Sequence, residues 1–184
     1  MVVKTVFPLR ISVCQPSHTG IFRGCARGEF QPRKRPMIET TLVALVALGM
    51  KMSSNMLKED DVRSMALDVV AATPEPFLFP GERIFWLRTA WEEGAFQTSP
   101  KGHNDNGNAC GVTQVNQFVI PAGMGTCKDL RSSRVKSIEA SRAILKPLIE
   151  KCGGVRAAIG AYMTGGKCGS APKLTARRCR DEAC

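Results

Sequence analysis

Wherever this chain of 184 residues shows a period, the period is helical, and no stretch alternates as a strand would. Residues 59–72, E-D-D-V-R-S-M-A-L-D-V-V-A-A, set Val62, Met65, Ala66, Val69 and Val70 on one helical face. Acids fill the first turn, where negative charge suits the helix dipole. Pro74 and Pro76 stop this helix. A second is expected from Glu82 to about Glu93, opened by Pro80-Gly81, packing Ile84, Leu87 and Trp91 inward and ending where Gly94 relaxes the backbone. A longer one runs from about Ser133 to Lys151, with Val135, Ile138, Leu145, Leu148 and Ile149 on its apolar side and Pro147 as a kink or break. Val155 to Met163 reads as a short helix of small residues closed by Gly165-Gly166. Residues 97–111 are rich in Gly, Asn, Ser and Pro without periodicity, a loop long enough to suspect function. The expected fold class is mainly α, and the length suits one core.

Charge divides the chain at about residue 36. The total is +10, from 26 Lys and Arg against 16 Asp and Glu. Residues 1–36 carry seven basic residues against Glu29 alone, spaced by prolines and glycines, and read as a disordered basic tail. A tail of this kind suits a nucleic acid or a membrane surface, and Arg33-Lys34-Arg35 equally suits the positive region of a signal sequence. A further reading takes Met37 as the start, leaving the tail out of the mature protein. Residues 37–55 are either signal-like, with Ala47-Leu48-Gly49 as the cleavage triplet, or the leading helix of the domain. The longest apolar run, Leu42 to Met50, is about half of the roughly 20 residues that a membrane span needs, so no span is expected. Eight cysteines contain no C-x-x-C pair and only His18 and His103 accompany them, which removes zinc fingers and ribbons. His103 alone is expected at the surface, and neither metal nor cofactor is called for.

The acids at the end of the second helix are the candidate chemistry. Glu92 lies four residues after Arg88, the spacing of an exposed ion pair, and is read as surface. Glu93 shares a face with Trp86 and Ala90. A carboxyl against apolar surface has its pKa raised, which is what a general acid needs at neutral pH.

The order of motifs extends this reading. Glu93-Gly94-Ala95-Phe96, then Gly111-Val112-Thr113-Gln114-Val115, then Ala161-Tyr162-Met163-Thr164-Gly165 resembles the E-S-x-F, G-L-M-Q-V and A-A-Y-N-x-G of the goose-type lysozymes and soluble lytic transglycosylases. The loop stretch from Asp105 to Gly111 looks like the goose-type D-x-G-N-x-x-G. The likeness spans about residues 60–168. It implies a lysozyme-like domain over residues 56–184 that cleaves the β-1,4 bond between N-acetylmuramic acid and N-acetylglucosamine in peptidoglycan. Glu93 would protonate the leaving oxygen. The carboxylate would then either activate the sugar's own 6-hydroxyl, giving a 1,6-anhydro end, or leave water to a second acid. Asp105 matches a goose-type acid in that second role, and its other reading is a cap on its own turn. Asn116 stands where another Asp is common. Gln114, Asn116, Tyr162 and Gly111 would line or shape the sugar groove. Gly94, Thr113 and Met163 depart from the family's Ser, Met and Asn.

Cys110, Cys127, Cys152, Cys168, Cys179 and Cys184 suggest up to three disulfides, with 15 possible connectivities, and an oxidising location: secreted, periplasmic or wall-associated. Free thiols in a cytosolic protein are the alternative. Residues 128–184 hold thirteen basic and five acidic residues, which suits anionic wall polymers. The expected partner is therefore a glycan strand met by a monomer. A non-catalytic wall binder is the second hypothesis, and a nucleic-acid-binding protein, lacking any reading motif, is the third.

Overall fold

The computed structural model describes residues 35–54, 56–97, 107–180 and 183–184, with only the helical backbone for residues 35–39. The basic tail, Cys14 and Cys25, and the loop residues His103 and Asp105 lie outside the described residues. Residues 36–184 form one compact unit. It is mainly helical: α1 (Arg35–Met52), α2 (Glu59–Ala72), α3 (Glu82–Gly94), α4 (Cys127–Ser132), α5 (Arg134–Cys152), α6 (Val155–Thr164) and α7 (Pro172–Arg178). Among the described residues, no helix is long and apolar enough to cross a membrane.

The apolar stretch after residue 37 becomes a helix lying on the core. Leu45 and Val46 of α1 are buried, and Gly49 lets the helix approach so closely that a Cβ there would collide with Val62 of α2. The triplet Ala47-Leu48-Gly49 therefore sits inside a packed helix. Helix α2 has the expected bounds and buries Val62, Met65, Ala66 and Val69. Helix α3 departs from a one-sided pattern: Phe85, Trp86, Leu87 and Ala90 are buried, and so are the charged Glu82 and Arg88. It is a central helix enclosed on most sides.

Two further expectations change. Pro147 does not break α5, which runs on to Cys152 with Pro147 exposed. The chain also contains a strand pair, β1 (Ala109–Cys110) and β2 (Val115–Asn116), antiparallel with Cys110 opposite Val115. At two residues each, these strands are too short to show alternation. Helices α4 and α7 were not foreseen either. Thr126 and Asp129 close a capping box on α4, and Pro172 begins α7 at a position that needs no amide proton.

Three disulfides join Cys110 to Cys127, Cys152 to Cys168 and Cys179 to Cys184. The first ties the hairpin to the start of α4, and the second ties the end of α5 to the loop after α6. The third fastens the end of α7 to the terminal residue.

The start of α3 is fixed by charge. The Glu82 carboxylate is fully buried and accepts from the Leu78 amide at 2.8 Å, the Trp86 indole at 3.1 Å and Arg142 Nε of α5 at 2.6 Å. Arg142 also donates to the Pro74 and Pro76 carbonyls at 3.2 and 2.9 Å, which pins the α2–α3 connection onto α5. Removing one partner of a buried pair strands the other charge and typically costs about 3–5 kcal/mol. Arg142→Leu is therefore expected to lower the urea midpoint by a cost of that order, whereas Arg63→Ala, which opens the exposed Glu59–Arg63 pair, leaves it nearly unchanged.

Candidate active site

The far end of α3 carries the paired acids. After Gly94 the chain reverses through Ala95 and Phe96, both in left-handed conformation at φ 48° and 67°. The Ala95 amide donates to the Trp91 carbonyl and the Phe96 amide to the Ala90 carbonyl, closing the helix end. Phe96 is buried edge-on against Trp91, ring centres 5.4 Å apart. The Phe of E-G-A-F is thus the apolar anchor that fixes where the acid-bearing turn stops.

The two acids meet an unforeseen partner. Arg178 of α7, its side chain 5% exposed, places Nε 2.7 Å from Glu92 Oε2 and donates from a terminal nitrogen to Glu93 Oε1 at 2.5 Å. Arg177 adds a contact of 3.1 Å to Glu92 Oε1. The expectation that Glu92 is a surface residue is overturned: its side chain is only 8% exposed, beneath two arginines, because α7 folds over that face of α3. Glu93, 34% exposed, is the acid that reaches solvent. Its hydrogen-bond partner is a guanidinium, where its helical face led us to expect apolar surface.

Tyr162 of α6 belongs to the same neighbourhood. The half-buried ring lies edge-on to Trp86 at 6.0 Å. Burial pushes its phenol up to about 12; the Glu93 charge adds to the rise, while a hydrogen bond with Ser141 and the Arg178 charge oppose it. Both expected residues, Glu93 and Tyr162, are therefore brought within electrostatic reach of each other.

The G-V-T-Q-V stretch forms the turn between β1 and β2. Gly111 has φ +72°, and a Cβ there would lie 2.6 Å from the Leu130 carbonyl and against Ser137 Oγ, so both conformation and space require glycine. Gln114, at φ 51°, folds its side-chain amide back onto the Gly111 carbonyl at 2.7 Å. Asn116 is exposed, and its Oδ1 accepts from the Phe118 amide at 3.0 Å, capping a single 3-10 turn over Gln117–Val119. The position expected to hold a second acid thus carries a turn cap. Asp105 lies outside the described residues, and no group of three His, Cys, Asp or Glu able to hold a metal occurs among those described.

Thr113 is where sequence reasoning fell short. It is buried and hydrogen-bonded to Ser137 and Ser141 of α5, both also buried. The signal was present: two serines four apart on a helical face otherwise occupied by Ile138 and Leu145 need buried polar partners. Arg178 had a fainter one, a tandem Arg177-Arg178 placed directly before Cys179.

In comparisons with family models, curated proteins and solved structures, nothing matched the chain.

Gly111→Ala should cost about 1–2 kcal/mol for the left-handed backbone alone, and more through the collision with Leu130 and Ser137. Gly107→Ala, at φ +81° with open space around its Cβ, should show only the backbone share in parallel urea titrations. Tyr162 is the only tyrosine, so phenolate absorbance reports on it alone. Its midpoint is expected near 12. A phenol raised in the folded state adds stability that is full below the ordinary value near 10 and lost as pH rises through about 12. Unfolding followed across that window checks the sign.

Proposed function

We propose that this protein cleaves the β-1,4 glycosidic bond of peptidoglycan, with Glu93 as general acid and then base. The observation that carries the reading is the grouping of Glu93, Tyr162 and Arg178 at the end of a buried helix, where the acid alone of its pair reaches solvent. The resemblance to goose-type lysozymes and soluble lytic transglycosylases, in motif order, supplies the substrate. A proton passes from Glu93 to the glycosidic oxygen as the bond to the anomeric carbon breaks. The resulting carboxylate takes the proton of the muramoyl 6-hydroxyl as that oxygen closes on the anomeric carbon. No water is consumed, and one carboxylate suffices.

This intramolecular route is favoured over hydrolysis because the neighbouring Glu92 is engaged by two arginines. Hydrolysis would call on Asp105 to hold the water. Gln114, Asn116 and the Gly111 turn would border the groove, by the same resemblance. Three disulfides suit secretion into the periplasm or to the wall, and the basic segment from residue 128 suits anionic polymers there. A second reading, a wall binder without activity, draws on Arg178 occupying Glu93 Oε1.

Glu93→Gln should fold, with a urea midpoint somewhat lowered because buried Arg178 loses one of its two carboxylates, and release soluble muropeptides at least about 100-fold more slowly, the usual share of a general acid. Mass analysis of wild-type products should show 1,6-anhydro ends; reducing ends would point to hydrolysis. Binding to purified walls with no release by the wild type would favour the second reading, and full activity in Glu93→Gln would overturn the assignment.

A further inference from the structure

The finish of α3 holds one cation between two carboxylates. Arg178, its side chain 5% exposed, puts Nε 2.7 Å from Glu92 Oε2 and a terminal nitrogen 2.5 Å from Glu93 Oε1. The two contacts differ in kind. Toward Glu93 the N–H lies along a hydrogen bond, whereas Nε makes no directed hydrogen bond and meets Glu92 as charge against charge. A guanidinium only donates and stays charged, so any change of charge in this triad falls on the acids. With both acids ionised the triad has one negative charge in excess. A proton on Glu93, the more exposed of the two, makes it neutral. Without Glu92 the balance reverses: Arg178 and an ionised Glu93 would cancel, and a proton on Glu93 would leave a buried guanidinium with no counter-charge, which is the costly state.

We propose that Glu92 is a positioning residue that acts through Arg178: it balances the arginine's charge, so that Glu93 can carry a proton and release it while Arg178 holds Glu93 Oε1 in place. This rests on the role given to Glu93 above. Because Oε1 accepts from a group that can only donate, the proton that Glu93 gives to the glycosidic oxygen, and the one it then takes from the 6-hydroxyl, both sit on Oε2. The remaining charged groups do not change across the working range. Arg88 on α3 itself and Arg177 on α7 stay cationic, and Arg177, 3.1 Å from the other oxygen of Glu92, is 57% exposed and screened by solvent. Tyr162 of α6 stays neutral up to about 12. Glu92 is thus the negative charge set against Arg178 when Glu93 is protonated.

Two measurements test this. Carbon-13 NMR of the full chain, with glutamate labelled at Cδ, follows each carboxyl through its titration, and the Glu93 signal is the one missing from Glu93→Gln. In Glu92→Gln the Glu93 midpoint should fall by about one pH unit or more relative to the wild type, the effect of losing a neighbouring like charge. Adding Arg178→Gln should bring it back toward the wild type. An unmoved midpoint in Glu92→Gln, or one that stays low in the double variant, overturns the proposal. In wall-cleavage kinetics the alkaline limb of the kcat profile of Glu92→Gln should move to lower pH by the same amount, about a ten-fold loss at a pH on that limb. A profile lowered at every pH without displacement would mark a purely structural role and overturn the proposal. Should Glu92→Gln fail to fold, Arg177→Gln takes its place: losing a positive charge on the exposed side should raise the Glu93 midpoint, by less than Glu92→Gln would lower it, and a fall or no movement overturns the proposal. If the wild type cleaves no wall, the functional reading fails alone, since the NMR titration still decides whether Glu92 governs the charge on Glu93.

Discussion

Helix α3 is clamped at both ends by arginines from later in the chain, and the site depends on that arrangement. Arg142 grips Glu82 at its start, and Arg178 spans Glu92 and Glu93 at its finish. Between them Phe85, Trp86, Leu87 and Ala90 fill the core, so the helix can neither slide nor rotate without moving apolar side chains from close packing. Glu93 is thereby held at a defined point relative to Tyr162 by two ion-pair systems and a buried aromatic seam. Buried ion pairs add little net stability over apolar packing of the same shape, because desolvating two charges is costly. Their contribution here is geometric.

The same logic applies to the polar cluster under the hairpin. Thr113, Ser137 and Ser141 occupy positions where apolar residues would pack with less constraint on direction. A satisfied hydroxyl network fixes orientation as well as distance, since each member has one proton to place. Gly111 makes this possible by letting the hairpin turn come against α5 at the Ser137 hydroxyl. The hairpin turn is thus held to α5 by direction as well as by contact.

Much of the helical framework was legible in the sequence, because α2, α5 and α6 bury a face of regular period and end at glycine or proline signals. The end of α3 at Gly94 was legible as well, and Phe96 just beyond it is buried against Trp91. Helix α7 was not. Its seven residues carry no apolar stripe, and its role comes from two charges meeting acids about 85 positions earlier. Glu92 was misread as surface for the same reason: spacing along one helix is blind to a helix arriving from the far end. Pro147 was expected to kink or break its helix; the break does not occur, and Pro147 lies exposed within α5. The two-residue strands fall below the length at which alternation can be seen.

The three disulfides each join a cysteine to the next one along the chain among the six, at separations of 17, 16 and 5 residues. This is the pairing that results when thiols are consumed in order of their appearance. A chain threaded N-terminus first into an oxidising space closes Cys110–Cys127 before Cys152 arrives, and Cys152–Cys168 before Cys179 can compete for it. Short loops also close at low entropic cost. Export and oxidation in one direction would reach this one connectivity of fifteen without any bond having to be broken and exchanged, and the last bond made would be the one beside Arg178.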